Sequence, residues 1–228
     1  SSTIHPIPDI DNTDFLLIFG ANPRVSHMSF ISIADPMESL RAASKRGADI
    51  RFVDPRHNES IKGIGTHVPV KPDTDAYLMA AILHHLFDQN MVNHEYIQDH
   101  ADHIEGLRSF IDDYSPQQVA NVVGISAQSI EALANDIGAA KSAAFYMSTG
   151  VNMGRQGSLA YWLLFMLSVV TGNLDKPGGN VYSRGFYPAA KAGRMQGEVK
   201  YEPTPHGDLR RIRGSQPGNL MACMARCE

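Results

Sequence analysis

The stretch "FLLIFGANPRVSH", residues 15–27, decides the fold of this chain. Phe15 to Phe19 is an unbroken apolar run of strand length, and its lack of alternation predicts a strand covered on both faces. It stops at Gly20-Ala21-Asn22-Pro23, where polar sequence begins. Gly20 lets the backbone come close to a ligand, and Pro23 holds Asn22 out of the helical region. The spacing predicts a helix over 26–46, capped by Ser26 and closed by Gly47. Phe30, Ile33, Met37, Leu40 and Ala43 or Ser44 recur along it at helical intervals. On this reading the amides around Val25 to Met28 form an exposed, positive helix end suited to a diphosphate. An ordinary strand-to-helix turn would use the same residues.

Working outward, "ADIRFVDP" (48–55) reads as a second strand and completes a β-α-β unit. "HVPVKP" (67–72) is a third, short strand. Thr74 caps a long helix, "DAYLMAAILHHLFDQN", with Tyr77, Leu78, Ala81, Ile82 and Leu86 facing inward. From 93 to 140 the pattern is helical throughout, with starts at Ser115-Pro116 and at Ser126. "SAAFYM" (142–147) is another buried strand, followed by a Gly-rich loop and by "LAYWLLFMLSVV" (159–170). That apolar run has twelve residues, against the roughly 20 a bilayer requires, so it predicts a buried core helix. Residues 181–220 lose periodicity and read as loops.

The sum is an α/β, doubly wound, Rossmann-like fold: a mainly parallel sheet with helices on both faces, a helical insertion and an irregular C-terminal tail. Residues 1–180 are expected to form the nucleotide-binding domain, and 181–228 to lead into a neighbouring domain. The first residues, "SSTIHPIPDIDNTD", read as an entry in mid-protein, and "GNLMACMARCE" stops inside a helical pattern. The chain is therefore expected to be a central piece of a longer polypeptide.

Composition narrows the function. With 43% hydrophobic and 19% charged residues over 228 positions, the chain can bury a sizeable core. A formal net charge of −4 lacks the basic footprint of nucleic-acid binding. Cys223 and Cys227 form a C-x-x-x-C pair with no earlier cysteines to complete a tetrahedral site, and read as two unpaired thiols. The histidines between 84 and 103 read as solvated or half-buried helix residues rather than metal ligands, since His84 and His85 point to different helix faces.

In an open parallel sheet, ligands sit at the carboxyl ends of the strands. Four loops fall at such ends. The first is Gly20 to Pro23. The second is "VDPRH", Val53 to His57, with Asp54 placed for ribose hydroxyls and Arg56 for phosphate. Asp54 lies 34 residues beyond Gly20, longer than the roughly 20 of the dinucleotide fingerprint. The third is "KPDTD", Lys71 to Asp75, where a carboxylate could cap the next helix or accept two parallel bonds from guanine N1–H and N2–H₂. The fourth is "TGVNMGRQG", Thr149 to Gly157. Together they outline a nucleotide site without a Ser-His-Asp order, a paired acid and base, or a metal-ligand cluster.

These loops also carry a resemblance. "DNTDFLLIFGANPRVSH", "GADIRFVDPRHNES", "VPVKPDTDAYLMAAIL", "STGVNMGRQG" and "LSVVTGNLDKPGGNVYSRG" stand in an order similar to that of the dimethyl-sulfoxide-reductase family of molybdopterin oxidoreductases. The resemblance runs from about Asp9 to Gly185. It implies a molybdenum or tungsten ion held by two pterins, each extended by guanosine diphosphate: a bis-molybdopterin guanine dinucleotide. It also implies that Phe19, Gly20, Ala21, Asn22, Pro23 and Ser26 form the first cofactor loop. Val53, Asp54, Pro55, Arg56 and His57 match the second, and Asp73, Thr74 and Asp75 the third, with Asp54 on ribose and Asp75 on guanine. Thr149, Gly150 and Met153 match the segment that approaches the pterin.

Arg184 falls where formate dehydrogenases of this family place an arginine beside the metal, and so is the candidate catalytic residue. The family's Gln-Asn-Asn after it is replaced here by "RGFYPAAKAGRMQ", which leaves formate unsupported as substrate. Arg184, Lys191 and Arg194 either face an oxyanion or sit on the surface. The family's iron–sulfur cysteines, its metal-ligating residue and its C-terminal domain fall outside these residues. What the resemblance implies is a two-electron oxidoreductase acting on a small molecule, with the remaining domains and electron-transfer subunits as partners, in the bacterial cytoplasm or periplasm. Two rival readings are a non-catalytic nucleotide-binding or scaffold domain of the same fold, and a nicotinamide enzyme. The missing G-x-G-x-x-G argues against the last.

Overall fold

Alternate residues of the run Phe15–Phe19 enter two different cores. Phe15, Leu17 and Phe19 pack into one cluster with Val53 and Phe145. Leu16 and Ile18 pack into the other with Leu40, Ile50 and Phe52. Side chains of a strand alternate between faces, so an apolar run without alternation demands cover on both sides. All five residues are buried.

The computed structural model describes residues 6–28, 33–182, 201–202 and 208–210. The chain divides into two compact units, Pro6–Val181 and a second made of Ser1–His5 with Tyr182–Glu228. In the second, β7 (Tyr201–Glu202) and β8 (Leu209–Arg210) pair antiparallel. Arg184, Lys191, Arg194, Cys223 and Cys227 lie outside the described residues.

The first unit is built on β2 (Phe15–Phe19), β3 (Asp49–Asp54), β4 (Thr66–Pro69) and β5 (Ala143–Met147), ordered β4-β3-β2-β5. Every neighbouring pair is parallel, with Phe15 opposite both Asp49 and Ala143. The chain fills one side of β2 first and returns to fill the other, so the order reverses between β2 and β5. A short β1 (Pro6–Pro8) pairs with β6 (Asn180–Tyr182) beside the sheet.

Helix α2 (Pro36–Arg46) covers one face through Met37, Leu40 and Ala43. The other face takes α3 (Asp75–Asp88) and α9 (Gly157–Val170), backed by the insertion of α4 (His94–His100), α5 (Ile104–Ile111), α6 (Pro116–Val123) and α7 (Ala127–Ala139). Helices on both faces of a parallel sheet make the fold α/β and doubly wound. Ser115 and Gln118 form the reciprocal capping box that starts α6, and Ser126 caps α7.

Three expectations are corrected. The helix over 26–46 is two helices: α1 is a single turn, Pro23–Ser26, and α2 begins at Pro36 behind the Asp35 cap. Two prolines explain this, since each fits the first helical position. The "LAYWLLFMLSVV" helix is buried all round only in its last turn, Leu167 to Val170, while Tyr161 and Trp162 nearer its start are about 40% exposed. Among the described residues no helix is long and apolar enough to cross a membrane. Thr74 stands at the start of α3 but makes no side-chain cap bond; its hydroxyl is turned to donate to Lys71 O at 2.7 Å.

The open edge of β5 is closed by side chains. Asn180 Oδ1 accepts from Phe145 N–H at 2.8 Å, and Asn180 Nδ2 donates to Phe145 O at 2.8 Å. Asn173 Oδ1 accepts from Ala143 N–H at 3.1 Å. Two asparagines thus satisfy the backbone groups that a further strand would take.

Candidate functional site

The four loops meet at the carboxyl end of the sheet, where the strand order reverses. The first and fourth touch backbone to backbone: Gly150 N–H donates to Gly20 O at 3.1 Å, and Ser148 N–H to Phe19 O at 3.1 Å. Gly20 has φ +54°, and a Cβ there would come within 2.9 Å of Val151. A Cβ on Gly150 would come within 2.7 Å of Gly20 O. Only two glycines allow this approach.

The first and second loops are tied by side chains. Asn58, almost fully buried, donates to Ala21 O at 3.1 Å and to Asp54 Oδ2 at 3.0 Å. Ser60 Oγ donates to Asn22 Oδ1 at 2.6 Å and accepts from Arg24 N–H at 2.9 Å. Asn22 Nδ2 donates to Glu59 Oε2 at 2.7 Å. Arg56 grips the same carboxylate with two bonds, at 2.9 and 3.2 Å. These donors pull the Glu59 carboxyl down to about 2, and the Glu59 carboxylate raises the pKa of Arg56.

The third and fourth loops join through Asp73. Its carboxylate accepts from Arg155 N–H at 3.0 Å and pairs with the largely exposed Arg155 guanidinium at 3.3 Å. Asp73 adopts φ +64°, a left-handed conformation that aspartate tolerates better than most residues. The insertion holds this loop from behind, since Lys71 N–H donates to Val123 O at 2.8 Å and Lys71 Nζ to Asn121 O at 2.7 Å.

Asp75 opens α3 and is only 8% exposed. Burial pushes its carboxyl up to about 6, and the nearby carboxylates of Asp73 and Asp54 add to the rise. Its own backbone amide opposes this and is outweighed. Asp75 is thus a buried acid whose charge transition lies well above the usual carboxylate range.

The side chains of Phe19 and Val53 are buried core. Only their backbones reach the strand ends, where Gly20 N–H donates to Val53 O at 2.9 Å. Asp54 ends β3, but its Oδ1 accepts from Arg56 N–H at 2.8 Å and its Oδ2 from Asn58, so it also shapes its own turn. Pro55 and His57 are exposed, and His57 lies edge-on to His67. Thr149 and Gly150 sit exposed in the short helix α8 (Thr149–Asn152), and Met153 just beyond it is 81% exposed.

The open amides expected around Val25 to Met28 are not open. Val25 and Ser26 N–H donate to Asn22 O, His27 N–H donates to Pro23 O, and Arg24 N–H is held by Ser60. The helix enters at Pro23, so these groups are consumed in its first turn. Sequence reading missed Asn58, Glu59 and Ser60. The connection from β3 to β4 has no helix, and its polar run "HNES" carried a signal in the Asp54-x-x-x-Asn58 spacing that this turn closes.

Among the described residues no group of three or more His, Cys, Asp or Glu is arranged to hold a metal. His84 Nδ1 bonds to Ile111 O and His85 Nε2 to Asn135 Oδ1, both as parts of the helical packing.

Known proteins resemble this chain. Formate dehydrogenase H of Escherichia coli (strain K12) is 31% identical over 175 residues, covering 77% of this chain and 24% of that protein. A nitrate reductase of Synechocystis sp. is 28% identical over 195 residues, 85% of this chain and 26% of that one. Dimethyl sulfoxide reductase DmsA of Haemophilus influenzae is 29% identical over 196 residues, 77% of this chain and 24% of its own. The chain spans about a quarter of the length of these relatives. The structure of acetylene hydratase from Pelobacter acetylenicus shares the fold, with a TM-score of 0.66 at 19% identity over 74% of this chain and 23% of that one. A family model matches residues 1–220, a span that takes in all four loops, and by it this chain belongs to the molybdopterin oxidoreductases.

Proposed function

We propose that this chain is the part of a molybdenum or tungsten oxidoreductase that holds one guanine dinucleotide arm of a bis-molybdopterin guanine dinucleotide. The observation that carries the reading is the convergence of four loops from the carboxyl ends of β2, β3, β4 and β5 at the point where the sheet order reverses, the usual place for a nucleotide in such folds. The residues suit the group. Gly20 and Gly150 let the first and fourth loops close against each other at the strand ends, and Asn22 and Arg56 are donors for phosphate. Asp54 is an acceptor for ribose. Asp75 offers a desolvated carboxylate for the paired donors of guanine.

When bound, the metal-pterin group supplies two-electron chemistry on a small substrate, while this chain supplies binding and orientation. Asp75 discriminates the base, since a buried acceptor left unpaired is costly and guanine pairs both of its oxygens. On this reading the exposed Thr149, Gly150 and Met153 approach the pterin, and Arg184 is the candidate residue near the metal. The iron–sulfur cluster, the metal's protein ligand, the second nucleotide site and any electron-transfer subunit belong to polypeptide outside this segment. Residues 1–180 form the nucleotide-binding domain on this reading, and 181–228 lead to the next.

The test is calorimetric titration of this chain with guanosine and adenosine diphosphates. Guanosine diphosphate should bind, adenosine diphosphate should bind more weakly, and Asp75→Asn should abolish the preference. Equal binding of the two nucleotides would count against the assignment. Elemental analysis of the longer polypeptide should find molybdenum or tungsten, and this chain alone should show no reductase turnover.

A further inference from the structure

We infer that Glu59 is an internal stand-in for the ligand's diphosphate, occupying the Asn22 and Arg56 donors until a polyanion displaces it. The inference rests on the nucleotide-site reading above and concerns how that site selects its ligand.

The argument starts from which donors the first two loops offer. The amides of Arg24, Val25, Ser26 and His27 are all committed within the protein. Ser26 Oγ donates to Asn22 O at 3.1 Å. Among the groups assigned above to phosphate, that leaves the Asn22 amide and the Arg56 guanidinium, and Glu59 takes both. Its carboxylate accepts three bonds from two residues, with the two Arg56 bonds in the forked geometry that arginine otherwise gives to phosphate.

The surrounding charge gives this a purpose. Asp54, Asp73 and Asp75 already make the strand ends acidic; Arg155 of the fourth loop is paired with Asp73, and Arg24 of the first stands on the exposed turn of α1. A cradle with unpaired arginines would attract any small anion. One whose arginine is neutralised from within yields it only to a group of higher charge and equal fork geometry. Glu59 is itself half-exposed and sits on the helix-free β3–β4 connection, so it can swing aside without disturbing the core. The orientation of Asn22 does not depend on it, because Ser60 Oγ bonds Asn22 Oδ1. Glu59 therefore sets a charge threshold for binding.

The test compares this chain with its Glu59→Gln variant by calorimetry, using inorganic pyrophosphate, guanosine diphosphate and guanosine. Glutamine keeps the shape and can still accept from Asn22, but lacks the charge. The expected result is about tenfold tighter binding of pyrophosphate and guanosine diphosphate to the variant, with guanosine unchanged. If Glu59 merely positioned Asn22 and Arg56, the variant would bind both diphosphates as well as the wild type or worse, and the inference would fail while the nucleotide site stood. If neither protein binds guanosine diphosphate, both readings fall. A second measurement needs no variant: in the wild-type chain, saturating pyrophosphate should shift the NMR signals of the Asn22 side-chain amide and Arg56 Nε–H, leaving those of Arg51, paired with Asp49, in place. Unmoved Asn22 and Arg56 signals under saturation overturn it.

Discussion

Gly20 and Gly150 touch backbone to backbone across the reversal of the sheet, joined by the 3.1 Å bond from Gly150 N–H to Gly20 O. This contact fixes the spacing of the first and fourth loops at the strand ends. Alanine at 150 would put its Cβ 2.7 Å from a carbonyl oxygen and 2.9 Å from Gly20 Cα, neither of which can rotate away. Gly150→Ala should therefore cost about 1–3 kcal/mol, as overpacking against backbone does. A urea melt reads the loss, and guanosine diphosphate titration of the folded fraction should show weaker binding. An unchanged midpoint with unchanged binding would show that the loops part without cost.

Asp75 makes a prediction about pH. Its folded-state carboxyl is raised from 3.8 to about 6, first by burial and then by Asp73 and Asp54. Between those values the folded protein binds more protons than the unfolded chain, so stability falls as pH rises through the window and levels off above it. Asp75→Asn should remove that slope and stabilise the free protein near neutral pH by about 1–3 kcal/mol. The same change should abolish guanine selectivity. Thermal melting across pH 4 to 7, measured for both proteins, checks the slope.

Asp73 and Arg155 separate a backbone clasp from a surface ion pair. The Arg155 guanidinium is 92% exposed, and removing it should change stability by no more than about 0.5 kcal/mol. Asp73→Ala loses the acceptor for Arg155 N–H and places alanine at φ +64°. That should cost about 1–2 kcal/mol. Hydrogen exchange gives the sharper reading: the Arg155 amide should exchange faster in Asp73→Ala and stay protected in Arg155→Ala.

Asn180 replaces a strand at the edge of β5. Asn180→Ala leaves both the N–H and the C=O of Phe145 without their partner, and also removes the acceptor of Ser168 Oγ. The expected loss is about 3 kcal/mol. Chemical denaturation measures it, and a loss under about 0.5 kcal/mol would show that another group takes over the edge.

The sequence alone specified the sheet and its cover. Short unbroken apolar runs bounded by turn residues, such as Phe15–Phe19 and Ala143–Met147, suit strands buried on both faces, and both are. Serines at 115 and 126 marked helix starts because their hydroxyls complete the first turn locally. Gly20 at the end of β2 was legible for a similar reason: its residue type states a backbone shape, and it holds φ +54°. Tertiary structure decided the rest. The Thr74 hydroxyl turned to Lys71, itself fixed by a helix some fifty residues away. The amides after Asn22 were spent in a helical turn that began at Pro23, where sequence periodicity placed the helix later. The grip of Glu59 on Asn22 joins positions 37 residues apart, and no local pattern encodes it. Hydrogen-bond partners of polar side chains are chosen by whatever the fold brings within 3 Å, and that choice is made only when the strands are side by side.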